Sequence, residues 1–334
     1  MYNIRNNLAG DYTLTTNISL TSYDDWEPIG SLEAPFTGKI NGGGYKIVGL
    51  KIDRSAEEYV GLFGVVIGGE ITNLFLENVD INGDLSVGGI AGSVENGTIT
   101  NCYISGFIRA RFSAGGIAGS IYNSTIANCD SEGIIYADSF SGGTADGYSF
   151  SGGIAGAVWN TIIRDCFSVE QKIGSDFFSG GIVGFMGDRS TITNCYSSSD
   201  ISSSAYGESE SYSGGIAGYV LDGSITNCGA LNNEIYNNYY AARIAVFPTF
   251  STGLSYNNFA LDVMVASGYA KFENSNKMQH GSSKMYGELM AQSTYADAVN
   301  GDGLGGLGWK FGDSDNAPWV MTGVYYPMLY WIWI

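Results

Sequence analysis

One histidine, His280, is all that this chain of 334 residues contains, and that scarcity removes whole classes of chemistry. A zinc-peptidase helix of the H-E-x-x-H kind needs two histidines one turn apart, and the neighbours of His280 are Gln279 and Gly281. A Ser-His-Asp triad would have to be built around His280 itself; a lone loop histidine is expected to be solvated. Positive charge is also scarce, with 15 Lys and Arg against 33 Asp and Glu, a net charge of −18 and a pI near 4.2. Such a surface repels phosphate backbones and anionic lipid, which makes nucleic acid a poor partner. No apolar run approaches the ~18 residues of a membrane helix. No basic-then-apolar leader follows Met1, which leaves either a cytoplasmic protein or a mature chain whose leader has been removed. Proline is rare as well, at 5 residues.

What the chain has in quantity is glycine, tyrosine and a repeat. Gly reaches 49, Tyr 23 and hydrophobic residues 44%, enough for a continuous core and too much for disorder. The stretch Gly88-Gly-Ile-Ala-Gly92 returns at 115–119, 152–156, 180–184 (with Val for Ala) and 214–218, and Gly61-Leu-Phe-Gly64 is a divergent copy. Ten residues beyond the closing glycines Gly64, Gly92, Gly119, Gly156 and Gly218 stand Leu74, Cys102, Cys129, Cys166 and Cys228; eleven beyond Gly184 stands Cys195. Two markers held at constant separation define a repeat protein.

Between the markers each copy carries a turn signal, such as Asn96-Gly97 or Asn123-Ser124, and then an isoleucine column at Ile71, Ile99, Ile126, Ile163, Ile192 and Ile225. Ile and Cys both read as inward-facing yet lie three apart, which breaks strict alternation. A bend at Asn73, Asn101, Asn128, Asp165, Asn194 and Asn227 reconciles them, because Asn and Asp tolerate the left-handed conformation. Each copy therefore reads as strand, turn, strand, corner, strand, with no room for a helix. The predicted fold is all-β: a single-stranded parallel β-helix in which stacking supplies the core that one coil cannot make alone. The rule for parallel crossovers favours a right-handed winding. The five cysteines would stack at roughly 4.8 Å; an odd-numbered column in register reads as small buried hydrophobes rather than disulfides. Absence of C-x-x-C spacing speaks against a metal site.

The domain organisation follows. Residues 1–52 read as an N-terminal cap and first coil, 53–235 as the repeats, 236–280 as degenerate final coils and 281–334 as a C-terminal cap with an aromatic plug over the last coil. Residues 288–299 read as a short helix. Insertions at 137–151 and 198–213 lengthen two coils and map to loops on one flank, where solenoids often bind.

The Gly-Ile-Ala-Gly and Gly-Leu-Phe-Gly copies resemble the GLUG repeat of bacterial surface proteins. The flanks are similar too: Trp26-Glu-Pro-Ile-Gly30, Phe36-x-Gly38 and Asn41-Gly-x-Gly44 before the repeats, Trp309, Trp319 and Tyr326-Pro-Met-Leu-x-Trp331 after them. The resemblance implies an extracellular β-helical protein of the kind found in gut anaerobes, including cell-adhesion proteins and non-catalytic parts of IgA-peptidase-like proteins. It supplies no catalytic residues.

The best carboxylate cluster is Asp130 and Glu132 with Asp165 in the next coil, the kind of pair a polysaccharide hydrolase or lyase uses, although Asp165 belongs to the corner column. Asn300–Gly303 and Asp313–Asn316 offer oxygen ligands for calcium without the spacing of an EF-hand loop; otherwise no cofactor is expected. Phe75, Tyr103, Asp130, Phe167, Tyr196 and Gly229 follow the Cys column, and Tyr122 and Trp159 share another outward column. Such rings can stiffen a sheet as ladders or bind sugar rings and proteins. Tyr148, Tyr206 and Tyr212 in the insertions are the better binding candidates, ahead of Tyr122 and Trp159. The resulting expectation is a non-enzymatic surface or secreted adhesin-like solenoid that binds a host or microbial glycan or protein. A carbohydrate-active β-helix and a structural stalk are the alternatives.

Overall fold

The computed structural model describes residues 1–139, 147–205, 210–268, 272, 277–289, 319–320 and 327–329. Each coil is built from four strands, one more than the sequence pattern indicates. In one coil these are Ser86–Gly88, Ala91–Glu95, Thr98–Thr100 and Tyr103–Ala110. Stacking the coils gives four parallel sheets, called here the glycine, alanine, isoleucine and long faces after their sequence markers. Among the described residues they hold seven, seven, nine and fourteen strands respectively. The extra strand, ending on the first glycine of each repeat, is three residues long, too short to show a period of two.

Register keeps equivalent residues of successive coils side by side. Ile99 pairs with Ile71 below and Ile126 above, and Ile126 with Ile163, then Ile192 and Ile225. All six are fully buried, as are the isoleucines inside the glycine motif, Ile90, Ile117, Ile154, Ile182 and Ile216. At about 1.5–3 kcal/mol for each fully buried aliphatic side chain, these columns are the main cohesion between coils. Cys102, Cys129, Cys166, Cys195 and Cys228 are free thiols with no exposed surface. Each Sγ lies 3.1–3.2 Å from the carbonyl oxygen two residues before it.

The bend that reconciles Ile with Cys is present at every copy. Asn73, Asn101, Asn128, Asp165, Asn194 and Asn227 all have φ between 52° and 57°, and Asn257 extends the column at 53°. Their side chains form a ladder: Asn101 Nδ2 donates to Asn73 Oδ1 at 3.2 Å, and Asn128 Nδ2 to Asn101 Oδ1 at 3.0 Å. A second left-handed column, Asn96, Asn123 and Asn160, turns the chain from the alanine to the isoleucine face and is laddered likewise, Asn160 Nδ2 reaching Asn123 Oδ1 at 2.8 Å.

The glycine motif is explained by space rather than by backbone freedom. A Cβ on Gly92 would stand 2.5 Å from Val60 N, and one on Gly119 2.4 Å from Val87 N, both on the preceding coil's glycine face. A Cβ on Gly88 or Gly115 would meet the following coil, at 2.5 Å from Ala118 Cα and 2.7 Å from Ala155 Cα. The corner between glycine and alanine faces is therefore backbone packed on backbone above and below. On its outer side the two faces converge: Ser86 Oγ donates to Gly92 O at 2.8 Å and lies in hydrogen-bond contact with Ser120 Oγ at 2.9 Å. A re-entrant groove runs along the solenoid there.

The first residues include a coil in register with the repeats. Lys39–Asn41 pairs with Glu70–Thr72 and Lys46–Val48 with the start of the strand Phe75–Asn82. A 3-10 turn, Tyr2–Asn6, closes this end, with the Arg5 guanidinium 4.5 Å from the Trp26 ring centre. At the other end a helical turn forms at Tyr286–Leu289, touching the expected helix only at its start; residues 290–299 lie outside the described ones. Trp319 is fully buried, but on the side of the solenoid: its ring lies 6.0 Å from Phe167 and 5.8 Å from Tyr196 on the long face. Its strand, Trp319–Val320, pairs antiparallel with Met328–Leu329.

Candidate recognition surface

The re-entrant groove changes character along its length. In the coils of Ser86 and Ser113 it is closed by serines, Ser113 Oγ donating to Gly119 O at 2.9 Å. From the next coil onward the same position carries a ring. Ser113, Phe150, Phe178, Tyr212 and Tyr240 are register partners, so four consecutive coils present an aromatic rung. The ring centres are 5.4, 5.4 and 5.0 Å apart.

The opposite wall supplies Phe185 and Tyr219, stacked at 5.9 Å. Rings meet across the groove: Phe150 lies 5.5 Å from Phe185, and Phe178 4.9 Å from Tyr219. Trp159 continues the surface at 5.6 Å from Phe185 and stacks on Tyr122 at 4.5 Å with planes 2° apart. Phe177, Phe178 and Ala205 form a buried apolar cluster of their own, separate from the solenoid's interior. Above it Tyr148 stacks on Phe178 at 5.3 Å and meets Phe177 edge-on at 5.1 Å. Inner rings are buried or half-buried, while Tyr122, Tyr148 and Tyr240 are 42%, 61% and 46% exposed.

The structure thus gathers Tyr122, Trp159, Tyr148 and Tyr212 onto one surface; Tyr206 lies outside the described residues. The rings that sequence reasoning missed are Phe150, Phe178, Phe185, Tyr219 and Tyr240. A signal was present for three rungs, since Phe150, Phe178 and Tyr212 each precede Ser-Gly-Gly. Carboxylates edge the surface. The Tyr212 hydroxyl donates to Glu210, and burial, then Tyr148 and Glu210, hold the Tyr219 phenol above its ordinary pKa.

The carboxylate cluster sits elsewhere and is not an open site. Asp130 follows the Cys column on the long face, in register between Tyr103 and Phe167, and is only 3% exposed, with Oδ1 lacking any hydrogen-bond partner. Burial, then nearby Cys166 and Glu132, push its carboxyl well above the usual range. Glu132 accepts from the Tyr103 hydroxyl at 2.8 Å. Asp165 is part of the corner ladder, accepting from Asn194 Nδ2 at 3.0 Å. The three carboxyl groups therefore do not converge on one accessible space. Both calcium-type segments lie outside the described residues, among which no group of three or more His, Cys, Asp or Glu could hold a metal ion. His280, expected to be solvated, is 3% exposed. Its Nδ1 accepts from the Arg243 backbone N–H at 3.3 Å, because the segment after residue 276 stacks on the last coil. Burial, then Arg243, lower its pKa to about 4. No helix among the described residues is long and apolar enough to cross a membrane.

Comparison with known proteins places this architecture. Residues 1–106 match the N-terminal region of the M26 IgA1-specific metallo-endopeptidases, and residues 209–236 match the GLUG motif. A crystal structure of a Bacteroides ovatus protein described as an immunoglobulin A1 protease superposes over 99% of this chain and 89% of its own, with a TM-score of 0.60 and 20% identity. A second structure, of an IgA1 protease, matches 85% of this chain and 22% of its own, with a TM-score of 0.53 and 20% identity. At that identity the likeness speaks for the fold. Among curated proteins, one of Evansella cellulosilytica described as a Gly-rich membrane protein is 44% identical over 89 residues. Halomucin of Haloquadratum walsbyi is 36% identical over 107 residues. The matches cover 25% and 29% of this chain and span about 10% and 1% of those relatives.

The expectation of a non-enzymatic protein is corrected by these matches, since residues 1–106 align with the N-terminal region of a metallo-endopeptidase family and both solved structures are described as IgA1 proteases. The matching region includes fold-building residues such as Trp26, which is buried, and Phe36, whose ring centre lies 4.7 Å from that of Phe63. With its glycine corners, its laddered coils and these matches, the chain is a GLUG-repeat β-helix protein.

Proposed function

We propose that this β-solenoid is the recognition region of an IgA1-protease-like protein at the cell surface or outside it, and that it holds a host or microbial protein or glycan on its aromatic groove. The observation that carries this reading is the continuous run of rings from Tyr122 to Tyr240 along the outside of the rigid corner. A monomer rarely exposes a contiguous apolar patch without a use for it. Tyr and Trp give rigid contact area at small entropic cost, and the coils below fix their spacing. Adhesion and delivery of a substrate to a peptidase centre are two outcomes of the same holding step. The relatives' descriptions favour the second.

Purified protein would be tested for binding on an array of host and microbial glycans and on immobilised serum glycoproteins, IgA1 among them. Binding that is lost in the triple variant Tyr148→Ala, Tyr212→Ala, Tyr240→Ala, with the unfolding transition retained, is the expected result. Unchanged binding by that variant overturns the assignment of the groove.

A further inference from the structure

The Tyr122–Trp159 stack has carboxylates at both ends of its column. Glu95, Tyr122, Trp159 and Gly187 are register partners on successive coils, so Glu95 stands one rung below the pair, and Asp188 directly follows the rung above. Asn96 Nδ2 holds Glu95 through Oε1 at 3.2 Å, and Asp188 occupies a left-handed corner position with φ of 50°. Further along the same surface, Glu210 accepts from the Tyr212 hydroxyl. Among the described residues no ion pair engages Glu95, Asp188 or Glu210, whereas Asp84, Asp25, Glu70 and Glu77 are all paired with Arg or Lys. Arg189 follows Asp188 in the same turn.

Ring faces next to carboxylates, on a chain of net charge −18, form a site for positive charge. A guanidinium or ammonium placed against Trp or Tyr gains a cation–π attraction, and an adjacent carboxylate adds a charge-assisted hydrogen bond. A neutral sugar would use the rings and ignore the charges. Resting on the reading of the groove as the binding face, we infer that its occupant is a basic segment of a protein partner, with Arg or Lys side chains seated on the Tyr122–Trp159 stack between Glu95 and Asp188. The excess negative charge of the whole chain steers such a segment toward the groove, and that part of the attraction is screened by salt.

The test uses the full chain and three fluorescent probes: an Arg-Gly repeat peptide, a Glu-Gly repeat peptide and a neutral linear oligosaccharide. Selective binding of the Arg-Gly peptide is expected. It should weaken about tenfold with Trp159→Ala, several-fold with the double variant Glu95→Gln, Asp188→Asn, and progressively between low and high salt. Asn keeps the left-handed corner at 188, so this double variant retains the fold, which its unfolding midpoint would report. Oligosaccharide binding that depends on Trp159, without peptide binding, overturns the inference and leaves the groove as a binding face. Peptide binding indifferent to both variants also overturns it. Failure of all three probes, together with the glycoproteins above, removes both readings.

Discussion

Asp165 follows Asn128 in the corner ladder and cannot donate to it. At the steps into Asn73, Asn101, Asn128, Asn194 and Asn257 an amide Nδ2 reaches the Oδ1 of the coil before. Asp165 carries no such donor, and Asn128 Oδ1 is buried without a partner. The carboxylate is instead turned to its neighbour Arg164, 2.8 Å away at Oδ2.

Restoring the amide should therefore stabilise the solenoid. Asp165→Asn keeps the left-handed backbone, still accepts from Asn194 and gains a donor for Asn128 Oδ1. A gain of about 1 kcal/mol is expected for a newly satisfied buried acceptor, offset slightly by loss of a partly exposed ion pair. A raised urea midpoint with unchanged slope would confirm it; a lower midpoint would mean that the Arg164 pair outweighs the ladder.

The glycine corner makes the opposite prediction. In Gly119→Ala the new methyl meets backbone at 2.4 Å and Ser86 Oγ at 2.5 Å, and neither coil can retreat without breaking its sheet. A loss of about 3 kcal/mol or more is expected. Gly44→Asn serves as the control: nothing lies within 4 Å of its Cβ position, and its φ of 79° suits Asn better than most residues. Its cost should stay near or below about 1 kcal/mol. Equal damage from both would refute packing as the reason for the motif.

The cysteine column should be chemically silent until the protein opens. Burial raises the thiols of Cys129, Cys166 and Cys195, and only the thiolate reacts quickly. Titration with an aromatic disulfide reagent should find no fast thiol in the native protein and all 5 in denaturant. Fast labelling of the folded chain would contradict the buried column.

Acid should loosen the last coil first. His280 accepts through Nδ1 from Arg243 N–H, which its protonated form cannot do, and its folded pKa of about 4 lies below the ordinary 6.5. Between those values the unfolded chain binds the proton more readily, so this contribution is complete above about pH 6.5 and fades as pH falls toward 4. Thermal unfolding followed from pH 7.5 to 4 should show that decline. His280→Gln, whose side-chain oxygen can accept at any of these pH values, should flatten it.

The sequence made the coil readable because its markers are local. Asn73 and Asn101 declare a left-handed corner by residue type alone, and Ile99 and Cys102 declare the inward positions by recurrence. The aromatic groove was harder to see. Phe150 and Phe178 lie on three-residue strands where alternation cannot be counted, and they meet Phe185 and Tyr219 only because two sheets converge outside the corner. Burial of Asp130 and His280 was hidden for a related reason. Asp130 is enclosed on the long face, where Trp319 packs against the neighbouring rungs, and His280 is enclosed by a coil about 37 residues earlier in the chain. Nothing in their immediate neighbours announces either enclosure.

Because the glycine corner joins each coil to the next chiefly through closely packed backbone, one coil resembles another at that seam. Duplication or loss of a segment between equivalent glycines leaves a junction the fold already accepts, so lineages can lengthen or shorten the rod in whole steps. The aromatic groove does not share that freedom: its rungs belong to particular coils, and each added coil would shift them by one fixed increment along the solenoid.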